Sequence, residues 1–359
     1  MTAPPREFRK LSVAIPVFNE ERVLPQLYDR LVAVLDALPG GPHEIVFVDD
    51  GSRDGSRELL EAFARVDPRV QVVALSRNFG HQAAISAALD HVTGDVVVVM
   101  DADLQDTPET IPQFLEKYAE GFDVVYAVRQ DRKEGWLLRT CYAAYYRLIQ
   151  SLADIDLPVG AGDFALLSRR VVDQLRQSEE RHRYLRGLRT WVGFPQAGLP
   201  IERAARAAGQ SKYTPRKLVK LALDGIFSFS TAPLRAATVL GVATIAASLA
   251  FAAFTLYQRM FLGQAPAGFT ALILSITFLS GVQLLFLGVI GEYVGRVYEQ
   301  VKRRPHYLVD RVISAESLDE EYAARTARTR GRKSTAARKN ATPKKAAAST
   351  KRRTRATRS

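Results

Sequence analysis

Two stretches in the carboxyl-terminal half of the chain restrict its environment more than anything else in the sequence. Leu234–Tyr257 runs for 24 residues with one charge, Arg235, at its entry, and Phe269–Gly291 runs for 23 residues with none. As helices each reaches roughly 35 Å, enough to cross the ~30 Å hydrocarbon core of a bilayer. The segment joining them, 258–268, is short, so the pair is expected to form a transmembrane hairpin. A buried helical hairpin in a water-soluble protein is the competing reading, and the lengths favour the membrane. Only Arg259 lies in the joining segment, whereas Arg216, Lys217, Lys220 and Arg235 precede the hairpin and Arg296, Lys302, Arg303 and Arg304 follow it. Positive flanks stay on the cytosolic side. The expectation is a multi-pass protein of the cell (inner) membrane with its amino-terminal region in the cytosol. Met1–Lys10 is polar and the first apolar run, Leu11–Val17, is short, so no secretory leader is expected.

Ahead of the hairpin, apolar and amphipathic segments alternate. Strands are expected at Leu11–Ile15, Glu44–Val48, Val70–Leu75, Val96–Met100 and Asp123–Val128, with helices at about 21–38, 53–66, 80–91 and 109–119. Asp54, Asp106 and Thr107 serve as start signals, and Gly40, Gly94 and Gly121 as stops. Alternation of this kind implies a doubly wound α/β domain with a mostly parallel sheet. Further helices are expected at 133–152, 168–177 and 183–192.

Such sheets bind ligands beyond the carboxyl ends of their strands. Polar clusters follow four of the strands here: Pro16-Val17-Phe18-Asn19-Glu20, Asp49-Asp50-Gly51-Ser52, Arg77-Asn78-Phe79-Gly80 and Asp101-Ala102-Asp103. An isolated pair of carboxylates spaced by one residue reads as an acidic turn. Four clusters on one edge favour a nucleotide-type site instead, where Asp101 and Asp103 could hold a divalent cation against substrate phosphates, as Mg²⁺ is commonly held. Neither a G-x-G-x-x-G after the first strand nor a G-x-x-x-x-G-K-[ST] occurs, so metal and basic side chains must neutralise the phosphates. His81, beside a strand end, reads as structural rather than catalytic.

The formal charge of +12 is concentrated at one end. Residues 322–359 hold fourteen Lys/Arg and no Asp or Glu; subtracting them from 50 basic residues leaves 36 against 38 acidic, a near-neutral body. The tail is expected to be disordered and drawn to anionic lipid headgroups, with nucleic acid as the rival partner. Cys141 is the only cysteine, which excludes an internal disulfide and a multi-cysteine metal site.

Several motifs, taken in order, resemble one family: inverting glycosyltransferases of family 2 with the GT-A fold, in the branch of dolichol-phosphate mannose synthase and bactoprenol-phosphate glucosyltransferase. They are Pro16-Val17-Phe18-Asn19-Glu20-Glu21, Val48-Asp49-Asp50-Gly51-Ser52, Met100-Asp101-Ala102-Asp103-Leu104-Gln105-Asp106, Gly162-Asp163-Phe164-Ala165-Leu166, Gly209-Gln210-Ser211-Lys212-Tyr213 and the hairpin. The likeness covers about 10–312. It implies transfer of one sugar from a UDP- or GDP-hexose to a polyprenyl phosphate at the cytoplasmic membrane face. It further implies that Pro16, Phe18, Glu20, Val48 and Asp50 surround the base and ribose, and that Asp101 and Ala102 meet the diphosphate. Asp103, with Asp101 and Gln105, would hold Mg²⁺ or Mn²⁺. Arg129, Arg206 and Lys212 would contact the donor diphosphate or acceptor phosphate, and Asp163 would lie beside the acceptor and orient or weakly activate it. Related enzymes form tetramers, so a homo-oligomer is implied. Processive synthases of this fold carry Q-x-x-R-W; Arg189-Thr190-Trp191 lacks that order and only two spans exist, which points to single transfer. Another lipid acceptor such as diacylglycerol, or a catalytically silent scaffold with a nucleic-acid-binding tail, are the alternatives.

The expected organisation is an amino-terminal arm (1–10), a GT-A domain (11–212), an interfacial amphipathic helix (213–231), two membrane helices (232–257 and 269–291) joined by an extracytoplasmic loop (258–268), a juxtamembrane segment (292–321) and the basic tail (322–359).

Overall fold

A computed structural model of the chain describes residues 6–129, 161–178, 180, 183–201, 232–261 and 268–318. The helix expected at 133–152, the interfacial helix at 213–231, Arg206, Lys212 and the basic tail lie outside the described residues, as does the side chain of Arg129.

The chain builds one eight-stranded sheet in the order β7-β5-β6-β4-β1-β2-β3-β8. Its centre is β1 (Leu11–Val17), every residue of which is buried. A strand covered on both faces has no polar side to alternate, which is why LSVAIPV and the four valines of β4 (Val96–Val99) read as unbroken apolar runs. β1 pairs in parallel with β2 (Glu44–Asp49) on one side and β4 on the other, and β2 pairs in parallel with β3 (Val70–Leu75). The connecting helices are α1 (Leu24–Ala37), α2 (Ser56–Val66), α3 (His81–His91) and α4 (Ile111–Ala119), the last entered through a 3₁₀ turn at Pro108–Thr110. Leu24, Leu27, Leu31 and Leu35, at three- and four-residue spacing, form the buried stripe of α1.

Antiparallel strands extend this parallel centre. β6 (Ala161–Ser168) inserts between β4 and β5 (Val124–Arg129) and runs against both, while β7 (Gln196–Ile201) lies parallel to β5 on the outer edge. None of β6, β7 or β8 is expected from alternation alone. The sheet is therefore mixed α/β, with a parallel nucleus and an antiparallel flank, as in GT-A folds. Helices cover both faces. α1, α2 and α4 pack on one core cluster around Phe47 and Phe114; α3, α5 (Arg169–Gln177) and α6 (Leu185–Trp191) pack on the other around Val97 and Val99. Phe47, Phe114 and Phe164 are fully buried, each stabilising the fold by about 1.5–3 kcal/mol through the apolar area withdrawn from water.

Beyond the domain stand two long helices, α7 (Ala232–Phe261) and α8 (Phe269–Val301). Both are long and apolar enough to cross a membrane. Large side chains along them, such as Ile245, Leu249, Phe251, Leu284 and Leu287, are more than half exposed. An apolar surface of this size is tolerated in lipid rather than water, so the protein is membrane-associated. α7 continues four residues past the expected end at Tyr257, and α8 continues ten past Gly291 through Glu292, Arg296 and Glu299. The apolar pattern stops there, but the backbone bonds do not.

The chain then returns to the sheet. β8 (Val309–Ile313) pairs antiparallel with β3 and forms the sheet edge, with Leu75 opposite Val309 and Val72 opposite Ile313. Tyr307 donates its hydroxyl to Asp90 Oδ2 at 2.6 Å, Arg57 pairs with Asp310 at 3.7 Å, and Arg311 pairs with Glu61.

Candidate active site

The strand order reverses between β1 and β4, and a crevice opens at their carboxyl ends, the usual place for a ligand in such sheets. The loops bordering it are stitched together by short polar side chains. After β1, the Asn19 backbone N–H donates to Ser52 Oγ (3.0 Å), and Asn19 Oδ1 accepts the Arg53 N–H (2.8 Å). Asn19 sits at φ 56°, a left-handed conformation that Asn tolerates better than most residues. The Glu20 N–H donates to Ser56 Oγ (2.9 Å), the Glu21 N–H to Asp54 Oδ2 (3.2 Å), and the Gly55 N–H back to Glu21 Oε2 (3.0 Å). Asp49, fully buried, accepts the Ser52 N–H at 2.9 Å and Arg57 Nε at 2.7 Å.

Asp50 ties in the third loop. Only 3% exposed, its carboxylate accepts the N–H groups of Phe79 (2.7 Å) and Gly80 (3.0 Å), and its carbonyl accepts Asn78 Nδ2 (3.1 Å). Burial pushes its pKa up, and the two amide donors only partly restore it. Gly51, at φ +69°, lets the loops touch: a Cβ there would stand 2.7 Å from the Arg77 carbonyl carbon and the Asn78 nitrogen. Of the other residues the resemblance assigns to the base and ribose, Pro16 and Val48 are cross-strand partners with buried side chains. Glu20 is half-buried, and Phe18 is 37% exposed at the crevice mouth.

β4 delivers the acidic motif. The Met100 N–H still bonds the Ala14 carbonyl, and from there burial alternates. Ala102 and Leu104 are buried in the core, whereas Asp101, Asp103 and Gln105 are half-exposed. The period of two leaves three oxygen-bearing side chains accessible while the residues between them anchor the segment. Leu104 adopts φ 58°, and Asp103 Oδ1 accepts the Gln105 N–H at 3.1 Å, which tightens the turn. Two carboxylates and an amide are hard oxygen donors, a set suited to Mg²⁺ or Mn²⁺ completed by phosphate oxygens and water. No group of three or more His, Cys, Asp or Glu able to hold a metal is found among the described residues.

The β4–β6 pairing brings in the next residues. The pairing ends with Val99 opposite Ala165, so Asp101 follows the end of β4 by two residues as Asp163 precedes Ala165 by two. His81, the first residue of α3, bridges them, with Nε2 at 3.5 Å from both Asp101 Oδ1 and Asp163 Oδ2. The imidazole therefore touches both acidic residues, a contact the sequence reading of His81 as structural did not foresee. Burial lowers its pKa, but the Asp163 contact and the Asp101 charge together raise it above the ordinary value. Arg186 on α6 forks onto Asp163, Nε to Oδ1 and Nη2 to Oδ2, both at 2.7 Å. Burial alone would raise the Asp163 pKa; the guanidinium and His81 outweigh it and hold the carboxyl well below the usual range. A carboxylate so paired is a weak base.

Behind this pair Arg189 is 4% exposed, with its guanidinium 4.9 Å from the centre of the Tyr126 ring and Nη1 donating to the Gly162 carbonyl at 3.3 Å. Desolvation lowers its pKa to about 10. Arg186 does not stand out in the sequence, and Arg189 enters there only beside Thr190 and Trp191 as a departure from Q-x-x-R-W. A basic helix, YLRGLRTW, is the only signal, and it does not say which strand the helix packs against.

Residues 12–176 match the sequence profile of the family described as Glycosyl transferase family 2. An uncharacterized glycosyltransferase of Bacillus subtilis is 42% identical over 85% of this chain and 95% of its own. The bactoprenol glucosyl transferase of Shigella phage SfII is 40% identical over 84% of this chain and 97% of its own. Among solved structures, glucosyl-3-phosphoglycerate synthase from Mycobacterium tuberculosis, in complex with Mn²⁺, UDP-glucose and phosphoglyceric acid, aligns with 61% of this chain and 78% of its own at 19% identity and a TM-score of 0.42.

Proposed function

The chain belongs to glycosyltransferase family 2, and from that premise we propose that it moves one sugar from a UDP- or GDP-hexose to a polyprenyl phosphate at the cytoplasmic face of the membrane. One observation carries the acceptor: a relative named bactoprenol glucosyl transferase matches at 40% identity across 84% of this chain, the two apolar helices included in its span. The fold agrees. Because β8 runs antiparallel to β3, its first residue, Val309, lies at the carboxyl end of β3, so the chain leaving α8 arrives on the edge where the crevice opens.

In the proposed reaction an oxygen of the lipid phosphate attacks the anomeric carbon, the bond to the diphosphate oxygen breaks, and the nucleoside diphosphate leaves with inversion. A phosphate monoester has its second pKa near 6, so at neutral pH it is already a dianionic nucleophile. That fits an Asp163 committed to Arg186 and poorly suited to removing a proton. A bound Mg²⁺ or Mn²⁺ would neutralise the charge growing on the leaving diphosphate. Asp101, Asp103 and Gln105 would hold it, and Pro16, Phe18, Glu20, Val48, Asp50 and Ala102 would shape the nucleotide pocket. Arg129, Arg206 and Lys212 would supply further positive charge to the phosphates. Oligomer formation, the domain boundaries and contact of the basic tail with anionic lipid belong to the same proposal.

The test is direct. Membranes carrying the full chain are incubated with undecaprenyl phosphate, Mg²⁺ and a panel of UDP- and GDP-sugars, and the lipid is analysed by mass spectrometry. A lipid-phosphate hexose is expected, lost with chelator and reduced at least about 100-fold by Asp103→Ala. A glycosylated diacylglycerol instead would replace the acceptor, and no product from any donor would overturn the reading.

A further inference from the structure

At the β6 end of the crevice, Asp163 is only 8% exposed, whereas the Arg186 side chain that grips it is 31% exposed. We infer that Arg186 is the residue that meets substrate here, by gripping a phosphate oxyanion, with Asp163 and His81 as its positioning residues. For the acceptor's identity this rests on the function proposed above.

The geometry of the guanidinium carries the inference. Nε and Nη2 are both fixed on Asp163 at 2.7 Å, which sets the plane of the fork. Nη1 makes no hydrogen bond among the described residues. An arginine whose orientation is already fixed loses little side-chain entropy when it binds an anion, and its planar donors match phosphate oxygens. Its position is equally specific, because His81 Nε2 lies 3.5 Å from both Asp163, which Arg186 grips, and Asp101. Arg186, on α6, therefore approaches the acidic motif through Asp163 and His81.

Charge points the same way. Arg186 and Arg189 flank Asp163 at this end of β6, and the Asp101 carboxylate also acts on Arg186. Arg189 is 4% exposed, and its Nε and Nη2 have no hydrogen-bond partner among the described residues. Of the two guanidinium groups, the accessible one is that of Arg186. A guanidinium kept only to neutralise Asp163 has no need of an exposed nitrogen. Two sources supply a phosphate oxyanion in this reaction, the acceptor monophosphate and the donor diphosphate.

The experiment compares charged ligands with their neutral counterparts on the detergent-solubilised full chain. Dissociation constants are measured for farnesyl phosphate against farnesol and for UDP against uridine, with GDP against guanosine in parallel, using wild type, Arg186→Gln, Arg186→Lys and Asp163→Asn. A charge-assisted hydrogen bond lost from one ligand corresponds to about a 10- to 150-fold fall in its preference over the neutral partner. That fall is expected for Arg186→Gln, with a smaller one for Arg186→Lys and Asp163→Asn. Collapse of the farnesyl ratio assigns Arg186 to the acceptor, and collapse of a nucleotide ratio assigns it to the donor. Both ratios within twofold of wild type overturn the inference; a purely structural role moves the melting temperature but not these ratios. If Arg186→Gln does not fold, Arg186→Lys decides by the same criterion. If wild type does not distinguish farnesyl phosphate from farnesol, the lipid-phosphate acceptor reading fails, while the nucleotide ratios still judge Arg186.

Discussion

Asp50 offers the sharpest separation of scaffold from ligand contact. The resemblance places it against the nucleotide, yet in the fold its carboxylate is a fastener: it takes the Phe79 and Gly80 N–H groups at 2.7 and 3.0 Å in a site 3% exposed. Asp50→Asn keeps the shape and one acceptor oxygen but turns an amide NH₂ toward the other backbone donor. One charge-assisted bond is downgraded to a neutral one, and one buried N–H is left unsatisfied, together costing about 3 kcal/mol. For a domain of this size that is a fall of roughly 6–12 °C in melting temperature. The measurement is thermal unfolding of the full chain in detergent with no nucleotide present, followed by nucleotide titration. The fall is expected in the nucleotide-free protein, with weaker nucleotide binding as a consequence of a loosened Arg77–Gly80 loop. A variant that melts within 1 °C of wild type when empty, yet binds nucleotide poorly, would refute the fastening argument and make Asp50 a ligand contact alone.

Gly51→Ala tests the neighbouring contact: a left-handed φ and a Cβ 2.7 Å from the Arg77 carbonyl carbon predict a loss of about 2–4 kcal/mol, read by the same unfolding assay, and a stability within 0.5 kcal/mol of wild type would show that the loops can part freely. Asp123 predicts an acid limb. Its side chain is 1% exposed and bonded by Ser168 Oγ at 2.9 Å, Arg6 at 3.0 Å and Arg170. Burial raises its pKa, but these partners bring it below the ordinary value, so its stabilisation is complete above about pH 4 and is lost as pH falls through the lowered folded pKa. Asp123→Asn should be less stable than wild type at pH 7 by about 3 kcal/mol and show a flatter melting profile below pH 4; parallel profiles would exclude this carboxylate as the source.

The parallel half of the sheet was legible because its physics is local. Buried runs such as Val96–Val99 and the polar residues that end them carry their own signal, and the observed strands fall within two residues of the expected bounds. The antiparallel flank was not. β6 opens with Ala161, Gly162 and Asp163, a start with no apolar run of its own, and pairing with β4 across the sequence makes it a strand. That one unreadable contact hides the clustering of the site: nothing near His81 in sequence announces Asp163, and nothing near Asp163 announces Arg186. The two long apolar helices were legible from apolar length, but not the extension of α8, whose last turns carry charge and persist through backbone bonding. β8, with VDRVI against β3, depends wholly on a partner more than 200 residues earlier.

That last strand has a mechanical consequence. Residues 302–308 join α8 to β8, and a free chain of that length would let its ends wander over about 15 Å. Pairing of β8 with β3, with the Tyr307–Asp90 bond beside it, turns the connection into a strut. α8 is then tethered to the sheet edge, and on the proposed function the reach from a lipid headgroup to Asp101 and Asp103 would be set by the length of a helix rather than sampled by a swinging domain. Adding or removing a helical turn between Glu292 and Val301 would shift that distance by about 5.4 Å at a stroke, and the enzyme would behave as a ruler cut to the wrong length.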